Sequence, residues 1–155
     1  MTTVRTADPY RDTDVIDARA PRFNQVVVGT VSLIAVFTGA WWLWGLLAIQ
    51  LAVGLTFGRQ YCLPCVFYFE VIQPRFGEGR IEDARPPRFA NLVGAVFLGS
   101  ATLAFVLGAP VVGWALTLVV AGLALLAAGT GLCVGCELYL LLARVRGLRV
   151  ERYPV

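Results

Sequence analysis

Two long uncharged runs dominate the pattern of hydrophobic and polar positions along the chain. The first covers residues 26–57 and the second covers residues 89–128. A bilayer core about 30 Å thick requires roughly 17–25 apolar residues per helix. Each run can therefore hold two spans, divided at uncharged turns near Gly39 and near Gly108. The pattern predicts four transmembrane helices, at about 24–39, 41–58, 89–107 and 111–129.

A cysteine-bearing segment follows each pair of predicted spans. The first reads QYCLPCVFYFEVIQ (60–73) and the second reads LCVGCELYLLLARV (132–145). We expect each to form a short amphipathic helix that lies at the interface or continues the span inward.

The chain contains an internal repeat. DARAPRF at 17–23 recurs as DARPPRF at 83–89, and in each copy an apolar pair of spans and a C-x-x-C-x-x-Y motif follow. Each unit holds an even number of predicted spans, so the two units point the same way, as in parallel-repeat membrane proteins. The prediction is an all-α membrane protein of two tandem helical hairpins, each followed by a CxxC helix. Its parts are a polar tail (1–20), a membrane domain (21–145; repeat one 17–76, repeat two 83–147) and a C-terminal tail (146–155).

The distribution of charge predicts which ends of the helices face the cytoplasm. All 13 basic residues are Arg, and they lie in the tail, the central loop and the C-terminal segment, while both turns inside the apolar runs are uncharged. The positive-inside rule then predicts a multi-pass protein of the inner (cytoplasmic) membrane with both termini in the cytoplasm. The N-terminal tail should be loosely ordered unless something holds it.

Composition narrows the possible functions. The chain is 58% hydrophobic and contains no His, which excludes a Ser-His-Asp triad, a His-ligated haem and a zinc site with His ligands. The Arg residues are spread among acids, so nucleic-acid binding has little support. The predicted spans also lack ionisable residues, which disfavours an ion or proton pathway. The lipid bilayer is the first partner that the sequence predicts.

The repeated phrase and the second cysteine motif resemble a known family. RFNQ after DARAP, RFAN after DARPP and GLCVGCELY are similar to sequences of the uncharacterised bacterial membrane family named domain-of-unknown-function 4395. The resemblance covers about residues 15–145, and its most specific part is G-x-C-x-G-C-x-x-Y. It implies a membrane protein and no particular reaction, and by association it implies sulfur-handling or redox partners. CLPC at 62–65 is less typical of the family.

The four cysteines are the candidate site: Cys62, Cys65, Cys133 and Cys136. The leading hypothesis is a cytoplasm-facing dithiol redox or sulfur-relay protein. A cysteine at the start of a helix has a lowered thiol pKa, and Arg59 lies close enough in sequence to contribute. Facing a reducing cytoplasm, both pairs should rest as dithiols. A soluble thiol or sulfur-transfer protein would be the partner.

Three alternatives remain open. The four cysteines can supply the four thiolates of a structural zinc or iron site, which would join the two repeats as a scaffold. They can also be small packing residues. The protein can instead be an accessory subunit of a larger membrane complex, because small residues recur in the spans and permit close helix approach.

Overall fold

The computed structural model describes residues 7–147, and these are helical except for short connections and two three-residue strands. The four longest helices pack as a bundle, and the short elements gather at one end of it. In chain order the elements are β1 (Val15–Asp17), α1 (Arg19–Thr38), α2 (Trp42–Thr56), a 3₁₀ turn (Arg59–Tyr61), α3 (Leu63–Phe67), a π-helical turn (Tyr68–Ile72), α4 (Gln73–Phe76), β2 (Ile81–Asp83), α5 (Arg85–Val106), α6 (Pro110–Thr130) and α7 (Val134–Val145).

Three helices, α1, α5 and α6, are long and apolar enough to cross a membrane. Helix α2 is equally apolar in character but has only 15 residues. The chain is therefore an all-α protein with membrane-like helices.

Helices α1 and α5 begin earlier than the sequence predicts, at Arg19 and Arg85 rather than near residues 24 and 89. The reason is the aspartate of each DAR phrase. Asp17 Oδ1 accepts the Arg19 N–H at 2.9 Å and Asp83 Oδ1 accepts the Arg85 N–H at 2.8 Å. Each carboxylate satisfies one of the first helical N–H groups, which have no partner within the helix, so both helices start inside the charged phrase.

The bundle core is made where α1 packs on α6 and α2 packs on α5, with α5 also against α6. Close approach depends on small residues. A Cβ on Gly113 of α6 would lie 2.8 Å from the Ala101 carbonyl oxygen, so only glycine fits there. The buried side chains of this core are Val28, Ala35, Trp44, Leu51, Leu98, Ala101, Val120 and Ala124.

A two-stranded ribbon, which the sequence pattern did not predict, joins the starts of α1 and α5. Strands β1 and β2 are antiparallel, with Ile16 opposite Glu82 at the centre of the register. Each strand is too short to show the alternation that reveals strands in a sequence. The ribbon holds both DAR phrases side by side at one end of the bundle.

The polar tail is held against the same end of the bundle. The Arg59 guanidinium donates hydrogen bonds to the carbonyl oxygens of Pro9, Asp12 and Thr13, at 2.9–3.1 Å. Burial lowers the pKa of Arg59 to about 10, helped by the nearby charge of Arg88. Residues 8–14 are thus fixed by a side chain that follows α2. Residues 1–6 and 148–155, which include parts of both predicted tails, lie outside the described residues.

Candidate dithiol site

Cys133 and Cys136 are free thiols at the start of α7. Helix α6 ends at Thr130, and the positive φ of 76° at its C-cap residue, Gly131, turns the chain into a short connection. Cys133 then adopts an extended backbone as the N-cap residue, and its carbonyl accepts the Glu137 N–H at 2.9 Å. One helical turn therefore places both sulfurs on the same end of α7.

The two thiols have opposite electrostatic environments. The Cys136 thiol donates a hydrogen bond to the Cys133 sulfur. This hydrogen bond is the largest cause of the lowering of the Cys133 pKa to about 6, and the backbone N–H groups of Cys136 and Gly135 lower it further. The same hydrogen bond and burial raise the pKa of Cys136. The opposite directions of the two pKa shifts favour the thiolate at Cys133 and the thiol at Cys136, which is the division between an attacking and a resolving cysteine.

A cavity of about 90 Å³ adjoins Cys133. Its volume is well above the roughly 10–15 Å³ that one water molecule needs. The walls come mainly from α5 and α6, and α7 closes one side. The side chains are aliphatic or aromatic apart from the amides of Gln25 and Asn91 and the Cys133 thiol. The arrangement can hold a small organic group beside the thiolate.

A close backbone contact fixes α7 at the cavity. A Cβ built on Gly135 would lie 2.8 Å from the Cβ and 3.0 Å from the Cα of Ala90, so glycine is needed for α7 to rest on α5. The Tyr139 ring also packs on Phe89 of α5, with centroids 5.6 Å apart. The position of Cys133 is therefore set by contacts between α5 and α7.

The other pair, Cys62 and Cys65, forms a disulfide with a Cα–Cα distance of 5.1 Å. Cys62 is the N-cap residue of α3 and is buried against Gly54 of α2, and Cys65 packs on the cluster of Ala20, Tyr68 and Phe69. The expectation that this pair rests as a dithiol is therefore wrong. The burial of Cys62 limits the access of attacking thiols to its sulfur, and disulfide exchange depends on such access. The guanidinium of Arg59, which the sequence suggested could lower the pKa of the Cys62 thiol, donates its hydrogen bonds to the tail carbonyls.

The structure does not bring the four cysteines together. One pair lies against α2 and the cluster of Ala20, Tyr68 and Phe69, and the other lies against α5. Among residues 7–147, no three Cys, Asp or Glu side chains are close enough to share a metal ion. The four-cysteine zinc or iron scaffold therefore has no support in this geometry, because its ligands would have to come from separate helix contacts.

Sequence reasoning missed Gln25 and Asn91, the two amides that line the cavity. Asn24 Nδ2 donates to Asn91 Oδ1 at 3.1 Å, which ties the cavity wall on α1 to that on α5. Polar residues one turn inside an apolar helix were the available signal. Only the packing of α1, α5 and α7 shows that they meet at Cys133.

Comparison with known families agrees with the extent of the family resemblance seen in the sequence. The family model of a domain of unknown function, DUF4395, matches residues 16–144. The chain belongs to the DUF4395 family. The matched region extends from β1 into α7 and includes both cysteine pairs, so the dithiol and its cavity lie within the family domain. No curated protein and no solved structure matches the chain significantly.

Proposed function

We propose that this DUF4395 member is a dithiol redox protein of the cytoplasmic membrane, with Cys133 as the attacking thiolate and Cys136 as the resolving thiol. The observation that carries the proposal is the free Cys133–Cys136 pair, polarised by its own hydrogen bond and by the N–H groups at the start of α7, at the wall of an apolar cavity. Cys62 and Cys65 have a structural role, because they are joined and Cys62 is buried.

The proposal includes four membrane spans. Helix α1 starts beside the β-ribbon, and α2 ends next to Arg59, which binds the tail beside the same ribbon. Helix α2 therefore crosses the same membrane thickness as α1, in the opposite direction. Fifteen residues rise about 22 Å, so α2 is the short member of the set and flanking residues such as Trp41 and Phe57 complete it.

The parallel repeat is also part of the proposal, and several pairs of contacts support it. The ribbon is centred on Ile16 and Glu82, which hold equivalent positions immediately before the two copies of the repeated phrase. Helix α1 packs on α6 as α2 packs on α5. Phe23 contacts Tyr68 as Phe89 contacts Tyr139. A two-fold axis along the membrane normal accounts for all of these pairs.

The orientation follows from the arginines. The described part of each arginine-rich segment lies at the ribbon end of the bundle or next to it, which the positive-inside rule assigns to the cytoplasm. Cys62 and Cys133 begin the helices that follow α2 and α6, so the proposal places both pairs on the side of the reducing compartment. A soluble dithiol protein is the partner that would restore it.

The reaction is a two-electron exchange. The Cys133 thiolate attacks one sulfur of a disulfide substrate, a mixed disulfide forms, and the first substrate thiolate leaves with the electron pair of the broken bond. Cys136 then gives its proton to the released substrate thiolate and attacks the Cys133 sulfur, and the second substrate thiolate leaves with the electron pair of the mixed disulfide and takes a proton from water. The substrate is reduced to two thiols and Cys133–Cys136 is oxidised to a disulfide, which the soluble dithiol protein reduces.

The test is the pH dependence of Cys133 alkylation in the full chain in detergent, followed by mass spectrometry of the Cys133 peptide. With a pKa of about 6, the rate with iodoacetamide should reach half of its maximum near that pH, well below the roughly 8.5 of an ordinary thiol. Cys136→Ala removes the thiol donor and should move the midpoint upward. Cys136→Ser keeps a hydroxyl donor and should give an intermediate midpoint.

The matched control is Cys62→Ser combined with Cys65→Ser, which removes the second pair and should leave the Cys133 profile unchanged. A wild-type midpoint at or above the ordinary thiol value would overturn the proposal. So would failure of a glutathione redox titration to interconvert the Cys133–Cys136 dithiol and disulfide.

A further inference from the structure

The cavity beside Cys133 opens on the flank of the bundle rather than at the ribbon end, where the arginines lie. Three of its lining residues, Phe97, Leu123 and Val134, are exposed by 36%, 42% and 41% and form its rim. Phe97 lies near the middle of α5, and Leu123 lies two helical turns before the end of α6. In a membrane-spanning bundle, exposed side chains at these positions face lipid.

Apart from the Cys133 thiolate, the interior of the cavity has no charged group. None of its lining residues is Arg, Asp or Glu, and its polar groups are the amides of Gln25 and Asn91 and the thiol. Transfer of an unpaired charge into such a site is strongly unfavourable, whereas an amide-lined apolar wall accepts an uncharged group. A charged low-molecular-weight disulfide is therefore excluded by the walls.

Size sets a second limit. The volume of about 90 Å³ is smaller than the roughly 150 Å³ of a cavity that binds benzene. Between Ala90 and Phe97 the cavity follows α5 for about 10 Å at the helical rise of 1.5 Å per residue. Through this opening it accommodates a small group next to the thiolate and not a folded protein or a peptide loop.

We infer that this cavity admits a small, uncharged disulfide from the hydrocarbon side of the membrane and presents one of its sulfurs to Cys133. This inference rests on the proposed function and adds the substrate class and its route. The exchange is the one described above: the substrate disulfide bond breaks, the Cys133–sulfur bond forms, and the leaving thiolate exits before Cys136 resolves the intermediate. Gln25 and Asn91 offer amide groups to polar atoms of the substrate.

The test compares methanethiosulfonate reagents that differ only in charge, on the reduced full chain in lipid nanodiscs. The labelling rate of Cys133 is measured by peptide mass spectrometry with neutral methyl methanethiosulfonate, an anionic sulfonatoethyl reagent and a cationic trimethylammonioethyl reagent. Each rate is divided by the rate of that reagent with free β-mercaptoethanol. The neutral reagent should have a normalised rate at least ~10-fold above both charged reagents, because one factor of ten corresponds to only about 1.4 kcal/mol.

A cavity-filling variant provides the second arm. Gly94 lines the cavity, and a Cβ there would make only an ordinary 3.4 Å contact with Leu51. Gly94→Leu should slow neutral labelling of Cys133 by about tenfold, on the same rate scale. Gly122→Leu is the matched control, since a Cβ on Gly122 of α6 meets nothing within 4 Å, and it should label like the wild type.

Equal normalised rates for neutral and charged reagents, or an unchanged rate in Gly94→Leu, would show that small reagents reach Cys133 from water rather than through this cavity and would overturn the inference. These outcomes are separate from failure of the proposed function. A low midpoint for Cys133 alkylation together with equal reagent rates retains the dithiol and removes only the substrate route.

Discussion

Asp17 and Asp83 hold equivalent positions in the two copies of the DAR phrase, yet they have different surroundings. Both accept the N–H of the arginine two residues later. The remaining oxygen of Asp83 binds the exposed Arg85 guanidinium, whereas Asp17 is buried and also accepts hydrogen bonds from Tyr68 Oη, Gln73 Nε2 and the Gly79 N–H. The buried carboxylate raises the pKa of Tyr68, adding to the effect of burial. The same residue therefore starts a helix in both copies and organises the α3–α4 segment in only one.

This difference predicts unequal costs of substitution. Asp17→Ala should lower the free energy of unfolding by about 2–4 kcal/mol, because it leaves several buried donors without an acceptor. Asp83→Ala should cost about 1 kcal/mol, the typical value of a lost helix cap, since an ion pair with an exposed arginine adds little. Thermal unfolding of both variants in the same detergent measures the comparison. Equal losses would contradict the role of Asp17 as a buried acceptor for four donors.

Among the elements, α7 has the greatest influence on the candidate chemistry. It is a 12-residue helix that begins with the dithiol and rests on α5 through the contact of Gly135 with Ala90. Cys62 has the corresponding position at the start of α3, but the π-helical turn Tyr68–Ile72 and the Asp17 network follow it. Two similar cysteine motifs thus begin helices with different packing, and only one of them borders the cavity.

Gly135→Ala tests the contact by which α7 packs on α5. The added Cβ cannot fit against Ala90, so α7 should move away from α5 and the free energy of unfolding should fall by about 1–3 kcal/mol. Cys133 should become more accessible, and its labelling by charged thiol reagents should accelerate. Thermal unfolding and labelling rates measure the two effects.

The control for this change is Gly122→Ala, which adds a Cβ into open space on α6. It should be neutral or slightly stabilising, as alanine is favoured over glycine inside a helix. Adding Ala90→Gly to Gly135→Ala removes the shorter of the two contacts and should restore part of the loss. Unchanged stability and labelling in Gly135→Ala would mean that this contact does not position α7.

For the whole molecule, the clustering of the ribbon, the tail and the start of α5 at one end of the bundle determines what the cysteines can reach. The tail is tied to Arg59 by three hydrogen bonds, and β1 is paired with β2. The α1–α2 and α5–α6 turns lie at the opposite ends of these helices. The proposed topology therefore has two uncharged turns on one side of the membrane and all the cysteines on the other.

Labelling in intact cells with a membrane-impermeant maleimide tests this topology. Thr38→Cys and Leu107→Cys place thiols beside the two turns and should be labelled from outside. Arg75→Cys lies at the arginine-rich end and should be labelled only after permeabilisation, and the parent chain gives the background. Labelling of Thr38→Cys and Arg75→Cys from the same side would mean that α2 does not cross the membrane.

The sequence by itself determined the membrane-like helices, the family and the presence of two CxxC motifs. Apolar runs, glycine turns and charged ends act over a few neighbouring residues, so they are readable along the chain. The early starts of α1 and α5 were not found, because the carboxylates of Asp17 and Asp83 extend each helix into a polar phrase. The sequence repeat also suggested two equivalent thiol pairs that rest as dithiols.

Only the tertiary structure decided which pair is free and what surrounds it. Burial of Cys62 against Gly54, and contact of Gly135 with Ala90, depend on helices that are distant in sequence. The same is true of the cavity, whose walls come from four long helices and α7, and of the ribbon between segments 66 positions apart. Close packing between separate elements created these differences, and a duplicated local pattern carries no information about such contacts.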